Sequence, residues 1–139
     1  MLDGALRVGA ESRGTRLGTG IGSAGAIDPA ARERTLAAVD DYLALARNRG
    51  AQTVDAIATS ALRRASDGDA FRSEVAARAG VAPRVLSGAE EATYSFLGAT
   101  NLRDGDAPIA VLDVGGGSAE LAVDVPSRAR ANGAVRNAL

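Results

Sequence analysis

Asp113-Val114-Gly115-Gly116-Gly117-Ser118-Ala119-Glu120 lies between two apolar runs, Pro108 to Val114 and Leu121 to Val125. The pattern predicts a strand, a tight glycine turn and a second strand. The successive glycines Gly115, Gly116 and Gly117 let backbone N–H groups converge on an anion, and Ser118 adds a hydroxyl donor. Carboxylates beside a phosphate cradle repel the phosphate unless a divalent cation lies between them. Asp113 and Glu120, one at each end of the turn, therefore point to a Mg2+-assisted phosphate site. The turn alone supports a plain glycine-rich hairpin equally well.

The composition decides which chemistry is open. The 139 residues suffice for one domain with a core, and 46% hydrophobic with 24% charged residues describe a globular chain. A net charge of -1 gives no reason to expect nucleic acid or an anionic membrane as partner. No apolar run approaches the roughly 20 residues that span a bilayer, and nothing near Met1 resembles a signal peptide, so a cytoplasmic location is expected. The chain has no cysteine, histidine, tryptophan or lysine, and all 16 basic residues are arginine. This removes Ser-His-Asp and Cys-His nucleophiles, the usual zinc sites, the Walker A lysine and Schiff-base chemistry. Carboxylates, arginines, hydroxyls, backbone amides and a bound metal remain, and these are the components of phosphoryl transfer.

Away from the turn, residues 1–27 are rich in glycine and read as a flexible leading segment or edge strand. Gly18-Thr19-Gly20-Ile21-Gly22 lacks the spacing of a dinucleotide fingerprint. Asp28 and Pro29 open a helix that Gly50 closes, with Leu36, Val39, Leu43 and Ala46 on its apolar face and its charged residues in solvent. Thr53 to Thr59 is short enough for a buried strand. Thr59-Ser60 then exposes hydroxyls and free N–H groups at the strand's carboxyl end, where open α/β sheets bind ligands, and Arg63 or Arg64 projects beside that edge. For Arg64 an ordinary surface role is preferred. Asp69 to Ala79 forms a second helix and Pro83 to Leu86 a second short strand. Ser87-Gly88-Ala89-Glu90 is a capping box, which gives Glu90 a structural task. Glu91 has no such task beyond a favourable charge at a helix N-terminus, in a helix anchored by Tyr94, Phe96 and Leu97.

Three stretches in this order are more specific than any one alone: Ala58-Thr59-Ser60-Ala61-Leu62-Arg63-Arg64-Ala65, Leu86-Ser87-Gly88-Ala89-Glu90-Glu91-Ala92 and Asp113 to Leu121. Together they resemble the exopolyphosphatase and guanosine pentaphosphate phosphatase family from about Arg16 to Val125, and Gly133-Ala134-Val135-Arg136 resembles the family's next segment. The resemblance implies an α/β fold, part of an actin-like, ribonuclease H-like domain with a mixed sheet and flanking helices, spanning residues 28–125 ahead of an irregular tail at 126–139. It also implies that Glu91 activates the attacking water and that Arg63 contacts substrate phosphate. Asp113 and Glu120 match acidic positions near the divalent ion, and Gly115 to Ser118 match the second of two phosphate-binding hairpins.

Residues 1–15 do not supply the family's opening Asp-x-Gly-Ser-Asn-Ser turn, and the 139 residues match part of one lobe. Two functions follow as expectations. One is hydrolysis of a terminal phosphoanhydride in polyphosphate or guanosine pentaphosphate with Mg2+. The other is a non-catalytic remnant that binds phosphate or a nucleotide alarmone, or assembles with another chain. Self-association is expected from an open sheet edge and from an uncovered helix face at Leu36, Val39 and Leu43.

Overall fold

Asp28 accepts a hydrogen bond from Ala31 N at 2.8 Å and starts α1, Pro29–Asn48, in a computed structural model that describes residues 10–22, 25–100, 108–115 and 118–124. Gly116, Gly117, residues 1–9 and the tail 126–139 lie outside the described residues. Helix α1 ends where Gly50 takes φ +83, with Gly50 N donating to Arg47 O and Ala51 N to Ala46 O. Only a residue tolerant of the left-handed region fits that position.

Strand β1 (Ile57–Ala58) runs parallel to β2 (Arg84–Val85), joined by a crossover of α2 (Ser60–Arg64) and α3 (Gly68–Ala79). Ile57 stands opposite Arg84 and Ala58 opposite Val85. The strand expected over 53–59 is thus two residues long, and Ile57 is 64% exposed rather than buried. Among the described residues β1 pairs on one side only, and side chains alternate across a strand, so Ala58 alone turns to the core.

That core comprises Ile21, Ile27, Leu36, Leu62, Phe71 and Val75. Leu36 and Leu43 are buried, so the expectation of an uncovered α1 face fails: α3 packs against α1 and supplies Phe71 and Val75. Ile21 and Ile27 come from the stretch read as a flexible leading segment. They are isolated apolar residues among glycines, so no periodicity marks them, and they are buried nonetheless. Arg32 of α1 is likewise no solvated charge. It donates to Asp67 at 2.8 Å, forks onto both carboxylate oxygens of Glu74 and lies 5.4 Å from the Phe71 ring centroid. Asp67 also accepts from Ile27 N at 2.9 Å, so one guanidinium and one carboxylate fasten α1, α3 and the 25–27 segment together.

Helix α4 (Gly88–Thr100) covers one face of an antiparallel hairpin, β3 (Ile109–Val114) and β4 (Ala119–Asp124). Ala92 and Phe96 pack on Ile109, Val111 and Ala122. Phe96 is an anchor as expected, whereas Tyr94 and Leu97 are half exposed, because the covered face of the helix is the one carrying Ala92 and Phe96. On the hairpin's opposite face Leu112, Val114 and Leu121 are exposed, Leu112 at 66% and Val114 at 72%. The expected mixed sheet is thus divided into one parallel and one antiparallel pair.

Candidate phosphate site

Helix α4 begins with the predicted capping box. Ser87 N donates to Glu90 Oε2 at 2.9 Å and Glu90 N donates to Ser87 Oγ at 3.2 Å, so two otherwise orphaned N–H groups are satisfied. Arg84 adds a 2.6 Å bond to Glu90 Oε1 and a 3.0 Å bond to Tyr94 Oη. The hydrogen bond from Ser87 N, with Arg84 beside it, holds the Glu90 carboxyl below the usual carboxylate range. Sequence reasoning found the box and missed Arg84 and Tyr94.

Glu91 is turned elsewhere. Its Oε2 accepts from Arg63 Nη1 at 2.8 Å, and its side chain retains 14% of its accessibility. Arg63 Nη1 also donates to Leu86 O, which fixes the guanidinium between the end of β2 and the first turn of α4. Arg63 lies in the last turn of α2, the short helix after β1. The structure thus brings together two sequence-predicted residues that lie 28 positions apart, at the carboxyl ends of both parallel strands. Arg64 is exposed, in keeping with an ordinary surface role.

The glycine stretch closes a hairpin in which Asp113 stands opposite Glu120, Val114 opposite Ala119, and Gly115 N donates to Ser118 O at 3.0 Å. Gly115 is not in the left-handed region, and an added Cβ would meet nothing nearer than Ser118 O at 3.5 Å. The fold therefore does not require glycine at 115. Asp113 and Glu120 share the face that α4 covers, at the turn end of a row that also holds Ile109, Val111 and Ala122. Asp113 Oδ2 accepts from Ser95 Oγ, and the buried Glu120 Oε2 has no hydrogen-bond partner among the described residues.

Seven carboxylates, Glu11, Asp40, Asp41, Asp67, Glu74, Glu90 and Glu91, pair with an arginine; among the described residues Asp113 and Glu120, like Asp28, Glu33, Asp55 and Asp69, pair with none, and they alone stand directly opposite each other across a strand pair. Two like charges directly across a strand pair repel, and a buried oxygen without a partner is costly. A divalent cation answers both. No cluster of three or more metal-ligating side chains occurs among the described residues. Mg2+ needs only one or two carboxylates when water and substrate phosphate complete its octahedron, so this donor pair fits it.

The profile of the Ppx/GppA phosphatase family matches residues 4–130. The chain belongs to that family. Exopolyphosphatase 2 of Mycobacterium tuberculosis is 41% identical over 117 residues, covering 80% of this chain and 37% of the relative. Exopolyphosphatase 1 of Mycobacterium leprae is 34% identical over 100 residues, covering 71% of this chain and 30% of the relative. Among solved structures, an exopolyphosphatase-like protein superposes with a TM-score of 0.74 at 35% identity, over 80% of this chain and 35% of that one. The Aquifex aeolicus Ppx/GppA enzyme gives 0.69 at 28% identity, over 81% and 38%. The chain thus spans about a third of these relatives' length, and the elements described above are part of the actin-like Ppx/GppA fold.

Proposed function

We propose that this Ppx/GppA chain carries the water-activating and metal-side half of a site that hydrolyses the terminal phosphoanhydride of polyphosphate or guanosine pentaphosphate. The observation that carries this reading is the Arg63–Glu91 pair, held at the sheet edge while the neighbouring Glu90 is consumed by the capping box. Glu91 takes the proton of the attacking water as its oxygen bonds to the terminal phosphorus. The bridging P–O bond breaks, and orthophosphate leaves from one side and the shortened chain from the other. Backbone amides of Gly116, Gly117 and Ser118 hold phosphoryl oxygens, since the Gly115 N–H donates to Ser118 O within the hairpin. Arg63 spends Nη1 on Leu86 and Glu91, which leaves Nε and Nη2 for substrate phosphate. Asp113 and Glu120 hold Mg2+, which offsets phosphate charge when bound.

The test is orthophosphate release from polyphosphate, and separately from guanosine pentaphosphate, with Mg2+. Glu91→Gln lowers release by about 10²–10⁴-fold with little change in KM, while Glu90→Gln keeps most of it. Equal behaviour of the two variants would sink the assignment of the base. Binding of labelled pyrophosphate without any release of orthophosphate would instead identify a chain that binds without turnover.

A further inference from the structure

Hydroxyl residues inside these helices share a habit. Thr35 donates to Ala31 O at 2.8 Å, Ser73 to Asp69 O at 3.0 Å, Thr93 to Ala89 O at 2.8 Å and Thr100 to Phe96 O at 2.7 Å, each to the carbonyl four residues earlier. This is the local default for Ser and Thr in a helix. Ser95 departs from it. Its Oγ leaves the helix and donates to Asp113 Oδ2 on β3.

The position of Ser95 gives that departure a meaning. It lies four residues after Glu91, so the two side chains share a side of α4. Its acceptor, Asp113, stands across the hairpin from Glu120, whose buried Oε2 lacks a partner among the described residues. An arginine donor in this place would neutralise Asp113, as Arg63 does for Glu91 and Arg84 for Glu90. A hydroxyl orients a carboxylate and leaves its charge intact.

We propose that Ser95 is a positioning residue for the cation-side carboxylate. It engages Oδ2 and fixes the Asp113 rotamer, which leaves Oδ1 for a divalent ion, and it ties the helix that presents Glu91 to the hairpin that presents the phosphate turn. The proposal rests on the reading of Asp113 and Glu120 as the divalent-ion pair given above.

Mn2+ is the probe, titrated into the 139-residue chain while the signal of the free ion is followed by electron paramagnetic resonance. Removing an outer partner of a metal ligand typically costs 10–100-fold in affinity, so Ser95→Ala raises the Kd for Mn2+ by about 10-fold or more. Ser95→Thr, which keeps the hydroxyl, restores most of the affinity, and Asp113→Asn loses more than Ser95→Ala. The thermal midpoint of Ser95→Ala stays near that of the wild type, which separates positioning from simple loss of α4. Equal Mn2+ affinity in wild type and Ser95→Ala, with Asp113→Asn weakened, overturns the role of Ser95 and leaves the ion pair standing. A Ser95→Thr variant no better than Ser95→Ala also overturns that role. A wild-type chain that binds no Mn2+ overturns both.

Discussion

Arg63 Nη1 lies 2.8 Å from Glu91 Oε2 and donates as well to the carbonyl of Leu86, so one nitrogen holds the candidate base and the end of β2 together. An arginine can do this and still present two further N–H-bearing nitrogens in a fixed plane. A lysine has one nitrogen in all. In equilibrium dialysis, Arg63→Met is expected to weaken pyrophosphate binding by about 10-fold or more, and Arg63→Lys to recover only part, consistent with charge-assisted hydrogen bonds. Full recovery by lysine would show that charge alone is needed there.

Gly68 offers a case where two effects oppose each other. Gly68 is the first residue of α3, where glycine costs less than the roughly 0.5–1 kcal/mol of a helix interior, so Gly68→Ala would ordinarily stabilise only slightly. A Cβ at Gly68 would meet the Leu62 backbone oxygen at 2.5 Å, a contact that α2 and α3 must separate to relieve. Overpacking of this kind costs about 1–3 kcal/mol, so the clash wins. Urea denaturation of Gly68→Ala is expected to give a lower midpoint than the wild type, and a raised midpoint would disprove the close approach of α2 to α3.

Acid should loosen the junction of α1 and α3. The bond from Ile27 N, with Arg32 alongside, holds Asp67 below its ordinary value, and the Arg32 fork does the same for Glu74. A carboxylate whose folded pKa is depressed contributes stability above its unfolded pKa, and that contribution disappears as pH falls through the folded value. Stability should therefore be level through neutral pH and fall below about pH 4. Asp67→Asn is expected to be less stable at pH 7 and to show a shallower acid limb. An acid limb of unchanged steepness in Asp67→Asn would remove Asp67 from this account.

The hairpin face of Leu112, Val114 and Leu121 carries no charge to discourage contact with a second copy. The chain is expected to elute larger than a 14.0 kDa monomer, with light scattering supplying the mass. Leu112→Ser with Leu121→Ser should return it toward the monomer mass. Persistence of the larger species in that double variant would place the association elsewhere.

Much of this architecture was legible because its signals are local. Asp28-Pro29, the Gly50 helix end, the Ser87–Glu90 box and the hairpin around the glycine turn each depend on a few adjacent residues, and each stands where the pattern put it. The illegible features depend on distance along the chain. Arg32 reaches Glu74 across 42 residues, and Asp67 accepts from Ile27 across 40. No spacing rule links such partners. Ile21 and Ile27 escaped notice because burial of a single side chain leaves no period. Ser95 escaped because a serine within a helix ordinarily bonds to its own turn, and only the proximity of Asp113 reveals otherwise.

The capping box also acts as an index mark for rotation. Successive helix residues are turned by about 100° from one another, and that angle alone separates a Glu90 turned to Ser87 and Arg84 from a Glu91 turned to Arg63. Because Ser87 and Glu90 bind each other, the helix starts in one phase whatever the length of the chain leading to it. A residue added in the Gly80-Val81-Ala82 turn would travel around the box without altering which carboxylate meets Arg63. A residue added between Ser87 and Glu90 would break the box and bring a different side chain to the guanidinium. Tolerance of insertions in this chain is therefore set to change abruptly at Ser87.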